Sequence, residues 1–356
     1  MQDPRETLAK RLRMQARWCA ELGSPLYASL LESAAQDLES EGPVWDVLQG
    51  FGSEPATSAL ALRFMASVHR LVLDGTLPDL ARHYPSTGGD GDAAAAWPLF
   101  RQALVDHQST VRDLIKRGCQ TNEVGRSAAL LGGFLEIAHR SKLSLRLLEI
   151  GASAGLNLRW DRYRYESTEG AWGDPASPVR FVHAFDVPPP LNRPADVESR
   201  KGCDLNPIDP TSEEGALTLR SFVWADQLVR LGLLDGAIEV ARDFPAEVER
   251  VDAASFLKRE LAHPARDVAT VVYHSVIWQY IDEAERRRIL EIITNAQQAA
   301  VPDAPVFYLR MEPGEGVFEI RLDGPTGPAG LLPMNGEEVL GISSAHGTGI
   351  VWLVPS

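Results

Sequence analysis

Residues 145–160 read LRLLEIGASAGLNLRW, and this stretch decides how the rest of the chain is read. An apolar run ends in Glu149-Ile150. A loop of small residues, Gly151-Ala152-Ser153-Ala154-Gly155, follows at once, and Leu156-Asn157-Leu158 opens a helical pattern. The order predicts a buried strand, a tight turn and a helix. Such a turn suits ligand binding, because glycine lets a ligand lie against the backbone and the free N–H groups of a helix start attract an anion. Two chemistries fit these letters. One is a cradle for a nucleotide cofactor. The other is a serine nucleophile elbow, since Gly151-x-Ser153-x-Gly155 matches that pattern too.

Working outward, the two sides of this stretch differ in texture. Upstream, Leu8, Leu12, Gln15 and Cys19 share one helix face, and Ser24-Pro25 begins a second helix carrying Tyr27, Leu30, Leu31 and Leu38. Further helices are expected over 59–73, 97–115 and 123–138, with a loop at 86–92 and no strand in this half. Downstream of Lys142, short apolar strands alternate with helices. Strands are expected over 145–150, 179–185, 199–204, 248–252, 268–275, 306–311, 318–322 and 349–354, and helices over 217–231, 254–261 and 283–299. Residues 170–194 are proline-rich and read as an excursion from the core. The last two strands have no helix between them, which predicts a closing antiparallel hairpin. The fold class expected is α/β: an all-helical N-terminal domain over 1–140, then a Rossmann-like, mostly parallel sheet over 141–356 with helices on both faces.

Composition narrows the partners. The chain has 356 residues, 44% of them hydrophobic, and a net charge of −14. That excess of acid repels phosphate backbones, so nucleic acid is an unfavoured partner. Arg286-Arg287-Arg288 sits among Glu283, Glu285 and Glu291 and reads as a solvated helix face. Three scattered cysteines, Cys19, Cys119 and Cys203, suggest neither a disulfide framework nor a zinc site, which points to a reducing, cytoplasmic compartment. The first 18 residues carry charges throughout and do not read as a secretory signal. No run of about 18 apolar residues predicts a membrane span. No metal-binding motif is present.

Three motifs in order resemble class I methyltransferases. Glu149 ends the first strand two residues before Gly151. The resemblance implies that such an acid orients the loop and the methionine portion of S-adenosylmethionine, with Gly151, Ser153, Gly155 and Asn157 along the cofactor. Asp204, in Lys201-Gly202-Cys203-Asp204, ends a second strand, where an acid accepts bonds from both ribose hydroxyls. Asp252-Ala253 ends a third, beside the adenine. The loop departs from the commoner glycine pattern in having Ser153 in the middle, and the gap from Gly155 to Asp204 is longer than one helix needs.

Residues 271–280, VVYHSVIWQY, run from a buried strand straight into polar and aromatic residues. In open α/β sheets the carboxyl ends of strands line the ligand crevice. His274 is therefore a candidate general base, with Tyr273 beside it as a second catalytic candidate. Trp278 and Gln279 are candidate substrate contacts, and Trp278 offers an aromatic wall to a sulfonium. Asn122, Glu123 and Arg126 form a helix entrance, with Asn122 as its cap, and are candidate substrate residues. Trp224 and Asp226 interrupt an apolar helix; Trp224 is a candidate substrate contact and Asp226 a candidate catalytic acid. Glu312, at a strand end, joins the substrate set. In the hydrolase alternative Ser153 is the nucleophile, His346 the base, and Asp303 or Asp323 the acid. Against it, the half upstream of the loop reads as helical and holds no His-Gly pair, and Glu149 has no role.

Six blocks together resemble one bacterial group, the domain-of-unknown-function 2332 family: TNEVGRSAALL (121–131), LLEIGASAGLNLRWDRYRYE (147–166), RKGCDLNPIDP (200–210), LRSFVWADQLVRL (219–231), VVYHSVIWQYI (271–281) and SAHGTGIVWL (344–353). The resemblance spans nearly the whole chain and implies a methyltransferase-like domain behind a helical region, without implying a known reaction. The expectation is an S-adenosylmethionine-dependent methyl transfer to a small-molecule acceptor. The alternatives are the serine hydrolase and a non-catalytic, cofactor-binding regulator. Oligomeric state is not legible.

Overall fold

The computed structural model describes residues 3–325 and 337–354. Up to residue 141 the described chain is helical: α1 (Pro4–Glu21), α2 (Pro25–Glu39), α3 (Pro43–Leu48), α4 (Leu60–Leu73), α5 (Pro78–Ala81), α6 (Ala93–Asp106), α7 (Gln108–Ile115) and α8 (Arg126–Ser141). Proline opens α1, α2, α3 and α5, where its missing N–H costs nothing. Asp3 caps α1 by accepting from the Arg5 N–H. The helix expected over 97–115 is two helices, separated at His107, whose φ of −121° leaves the helical region.

The remaining elements are β1 (Ser144–Ile150), β2 (Arg164–Ser167), β3 (Gly170–Trp172), β4 (Arg180–Phe181), β5 (Phe185–Val187), β6 (Val197–Asp204), α9 (Glu213–Phe222), α10 (Leu228–Asp243), β7 (Glu247–Arg250), α11 (Ala253–Glu260), β8 (Val268–Ser275), α12 (Glu283–Gln298), β9 (Val306–Pro313), β10 (Phe318–Asp323), β11 (Glu338–Ser343) and β12 (Ile350–Trp352). Compactness divides the chain elsewhere than at the texture change near 140. One unit is residues 1–121 with 212–232; the other is 122–211 with 233–356, so α8 belongs with the sheet and α9 with the helices.

The helical unit is built on one apolar cluster in which Tyr27, Leu30, Leu31, Phe64, Met65 and Phe100 are essentially inaccessible. Full burial of each such side chain contributes about 1.5–3 kcal/mol. The helix expected over 217–231 is broken between α9 and α10. Trp224-Ala225-Asp226-Gln227, which interrupts the apolar pattern, is that break.

Among the described residues, the α/β unit carries a nine-stranded sheet in the order β5-β12-β11-β10-β9-β8-β1-β6-β7. β7, β6, β1, β8 and β9 run parallel, whereas β10 and β11 extend the sheet as antiparallel neighbours. The sheet is mixed and mostly parallel. Counted in chain order, its five parallel strands lie 3-2-1-4-5. The order reverses between β1 and β8, the position where open α/β sheets bind ligands. β8 is a nearly continuous apolar run because both its faces are covered. Two strand expectations are corrected. Residues 179–185 supply two strands in different sheets, β4 and β5, with β4 joining β2 and β3 in a separate three-stranded sheet. The closing pair is not a direct hairpin, since β11 lies between β10 and β12. The two outermost strands of the large sheet are short: β7, EVER, and β5, FDV. Among the described residues no helix is long and apolar enough to cross a membrane.

Candidate functional site

The carboxyl ends of the parallel strands gather most of the polar residues singled out in the sequence. Glu149 is the penultimate residue of β1, Asp204 ends β6, Asp252 follows β7, His274 lies near the end of β8, and Glu312 near the end of β9. Alternation along a strand sends neighbouring residues to opposite faces. Glu149 and Tyr273 therefore share the face covered by α8, where Phe134 packs edge-on against Tyr273 with centroids 5.1 Å apart. His274, Tyr308 and Glu312 share the opposite face.

The loop after β1 is tightly held. Gly151 has φ +67°, and a Cβ there would lie 2.7 Å from the Ile277 side chain, so only glycine fits. Ser153 has φ +52°, a left-handed backbone on a non-glycine residue. Its N–H donates to Asp204 Oδ2 at 2.9 Å, while the Asn206 N–H donates to Asp204 Oδ1 at 2.8 Å. Asp204 thus clamps the loop across two strands and keeps one lone pair on each oxygen.

The helix expected after the loop is a 3-10 turn over Leu156–Arg162, irregular at Arg159. Side chains take the carbonyls that an α-helix would bond internally. Arg159 Nη1 donates to Gly155 O at 2.6 Å, and the Tyr163 hydroxyl donates to Leu156 O at 2.6 Å. The helix-start anion site expected there is consequently absent as such. Asn122 is not the cap of α8, whose N-cap is Gly125. Its Oδ1 instead accepts from the Leu156 N–H at 2.9 Å. Asn157 donates to Glu123 O at 3.2 Å and accepts from the Ser127 hydroxyl at 2.6 Å. The segment before α8 is in this way stitched to the loop after β1. Glu123 is buried and accepts from the Gly125 N–H at 3.3 Å. Arg126 reaches Ser275 O and Ala345 O, both at 3.2 Å.

Two buried glutamates behave oppositely. Burial pushes the Glu149 carboxyl up to about 8, against the pull of a 3.2 Å hydrogen bond from the Tyr273 hydroxyl and the field of Arg159. Burial also acts on Glu312, but its hydrogen bond with His274 and the N–H groups of Ile277 and Trp278 outweigh it, and the carboxyl is held below the ordinary range. Glu312 Oε1 accepts from His274 Nδ1 at 2.8 Å, Ile277 N at 2.9 Å and Trp278 N at 3.3 Å. The other ring nitrogen of His274 lies 2.6 Å from the Tyr308 hydroxyl. With both ring nitrogens engaged and no exposed surface, His274 is arranged to position Glu312. Val276, with φ +54°, turns β8 so that the next two N–H groups converge on Oε1.

The remaining candidates fall as follows. Trp278 stacks on His274 at 4.8 Å, and Gln279 is exposed. Asp252 caps α11 through the Ser255 N–H at 2.8 Å, a bond that holds its carboxyl low; Ala253 opens that helix. Trp224 and Asp226 lie in the helical unit. Trp224 packs against Tyr27 with centroids 6.5 Å apart. Asp226 accepts from the Ser24 hydroxyl and, at 2.9 Å, from the Leu26 N–H, tying down the start of α2. Of the hydrolase set, His346 follows β11 on the edge that carries Ser153. Asp303 precedes β9 and Asp323 ends the antiparallel β10, which places both at the opposite edge. Tyr308 and Ile277 are the site residues that the sequence reading missed. Tyr308, Arg310 and Glu312 at alternate positions of β9 were the available signal.

A mixed α/β chain with polar groups collected at its strand ends is the class these features define. A family model described as an uncharacterised protein conserved in bacteria (DUF2332) matches residues 9–352, and the chain belongs to that family. No curated protein matches its sequence.

Proposed function

We propose that this chain binds S-adenosylmethionine at the carboxyl edge of its parallel strands and transfers the methyl group to a small-molecule acceptor. The observation that carries this reading is the loop after β1, held at the strand-order reversal between Glu149 at its start and Asp204 on the next strand. The residues present suit such a cofactor. Glu149 is a buried carboxyl with one hydroxyl partner in the described structure, a match for a cationic amino group. Asp204 retains two lone pairs for ribose hydroxyls, and Asp252-Ala253 lies beyond it in strand order. Bound there, the cofactor would supply a methyl group already activated by its sulfonium. The chain would supply orientation, exclusion of water and the buried Glu149 carboxyl as a partner for the amino group.

The left-handed backbone at Ser153 is the observation that favours the second reading, a serine nucleophile. Its burial and the placement of Asp303 and Asp323 on the other edge count against it. Calorimetric titration of the full chain with S-adenosylmethionine and S-adenosylhomocysteine tests the first reading: both are expected to bind, and no heat at millimolar ligand would overturn it. Labelling by a fluorophosphonate that disappears in Ser153→Ala would establish the second.

A further inference from the structure

Glu312 is 9% exposed, and its two oxygens are treated very differently. Oε1 receives three donors. Oε2 is buried and, among the described residues, has no hydrogen-bond partner. An ionised carboxylate only accepts, so the missing partner is a donor. Oε1 carries the pairing with His274, whereas a buried acceptor oxygen left without a donor is costly, a cost that a cationic donor at Oε2 would offset. The surroundings narrow the donor. A divalent metal needs several hard ligands, and among the described residues no group of three His, Cys, Asp or Glu side chains is placed to hold one. A guanidinium binds a carboxylate best through both oxygens, and here one is already saturated. A primary ammonium needs one oxygen and gains from a nearby aromatic face. Trp278, half-buried and stacked on His274, is anchored beside the carboxylate by its own N–H bond to Oε1.

We propose that the carboxyl end of β9 is a subsite for a primary alkylammonium group, with Glu312 Oε2 accepting its hydrogen bond and Trp278 beside it. The subsite lies on the opposite sheet face from Glu149 and requires neither S-adenosylmethionine nor methyl transfer. Tyr308 and His274 act as positioning residues that fix the carboxylate.

The test uses the full chain without cofactor. Binding of n-butylammonium, n-butanol and n-butylguanidinium is measured by saturation-transfer NMR and calorimetry. Butylammonium is expected to bind at least about tenfold more tightly than the alcohol, the size of one charge-assisted hydrogen bond. It is also expected to bind more tightly than the guanidinium. Glu312→Gln keeps a carbonyl oxygen for the Ile277 and Trp278 N–H groups and removes the charge; it is expected to weaken butylammonium about tenfold. Glu169→Gln, on the exposed turn between β2 and β3, is expected to leave binding unchanged. Should Glu312→Gln fail to fold, the contrast between amine and alcohol in the unmodified chain decides. Equal binding of the alcohol, unchanged binding in Glu312→Gln, or no amine binding would each overturn the proposal. Absence of S-adenosylmethionine binding would not, so the two readings fail separately.

Discussion

Glu149 and Glu312 are the same residue type, both buried, both at the carboxyl end of a parallel strand, yet the protein moves them in opposite directions. Glu149 has one hydroxyl donor and is raised to about 8. Glu312 has an imidazole and two backbone N–H groups on one oxygen and is lowered. Burial is common to both, so the number and kind of donors decides the sign. The sheet supplies that difference. The end of β1 runs into a loop whose Ser153 N–H is spent on Asp204. The end of β8 turns at Val276 and aims two N–H groups at its neighbour.

The largest test of this contrast is Glu312→Leu, which strands the donors of His274, Ile277 and Trp278. It is expected to cost about 3–5 kcal/mol in urea denaturation; a loss below ~1 kcal/mol would break the comparison. Glu149→Gln should act with the opposite sign. Between the ordinary value of 4.5 and about 8, the folded chain keeps a proton on Glu149 that the unfolded chain has released, so stability falls as pH rises through that window. The variant is expected to flatten this fall and to exceed the unmodified chain by on the order of 2 kcal/mol at pH ~8, with little difference near pH ~5. The Glu312 contribution runs the other way: present above 4.5 and lost as pH falls below that value. Asp204→Asn sharpens the picture with an acid whose oxygens each take one N–H. A loss of about 1 kcal/mol and a roughly tenfold weaker S-adenosylmethionine titration are expected. The smallest effect belongs to Ser153→Gly, which relieves a left-handed backbone and should raise stability by about 0.5 kcal/mol in thermal unfolding.

The central parallel strands β8 and β9 were legible because burial on both faces writes them as largely apolar runs; β8 falls on the residues expected, 268–275. β2, β3 and β11 were not legible. The first two are four and three residues long, and β11, EVLGIS, carries a glycine in its middle. The turn after the loop was misread as a helix because its periodicity is helical, while Arg159 and Tyr163 take the carbonyls from outside the pattern. Asn122 shows a further limit. Its type announces a cap, but the N–H it serves lies 34 residues away. At the candidate site, acids at strand ends could be read from sequence, but the donors that set their charge could not, since His274 and Glu312 meet only across paired strands.

The short outer strands carry a consequence for the chain in a crowded solution. Among the described residues the sheet ends in two outer strands, and a long apolar edge would recruit a strand from another molecule. β7 offers four residues, three of them charged: Glu247, Glu249 and Arg250. β5 offers three, with Asp186 at its centre. Brevity and charge at its margins keep this sheet from serving as a seed for its own polymer.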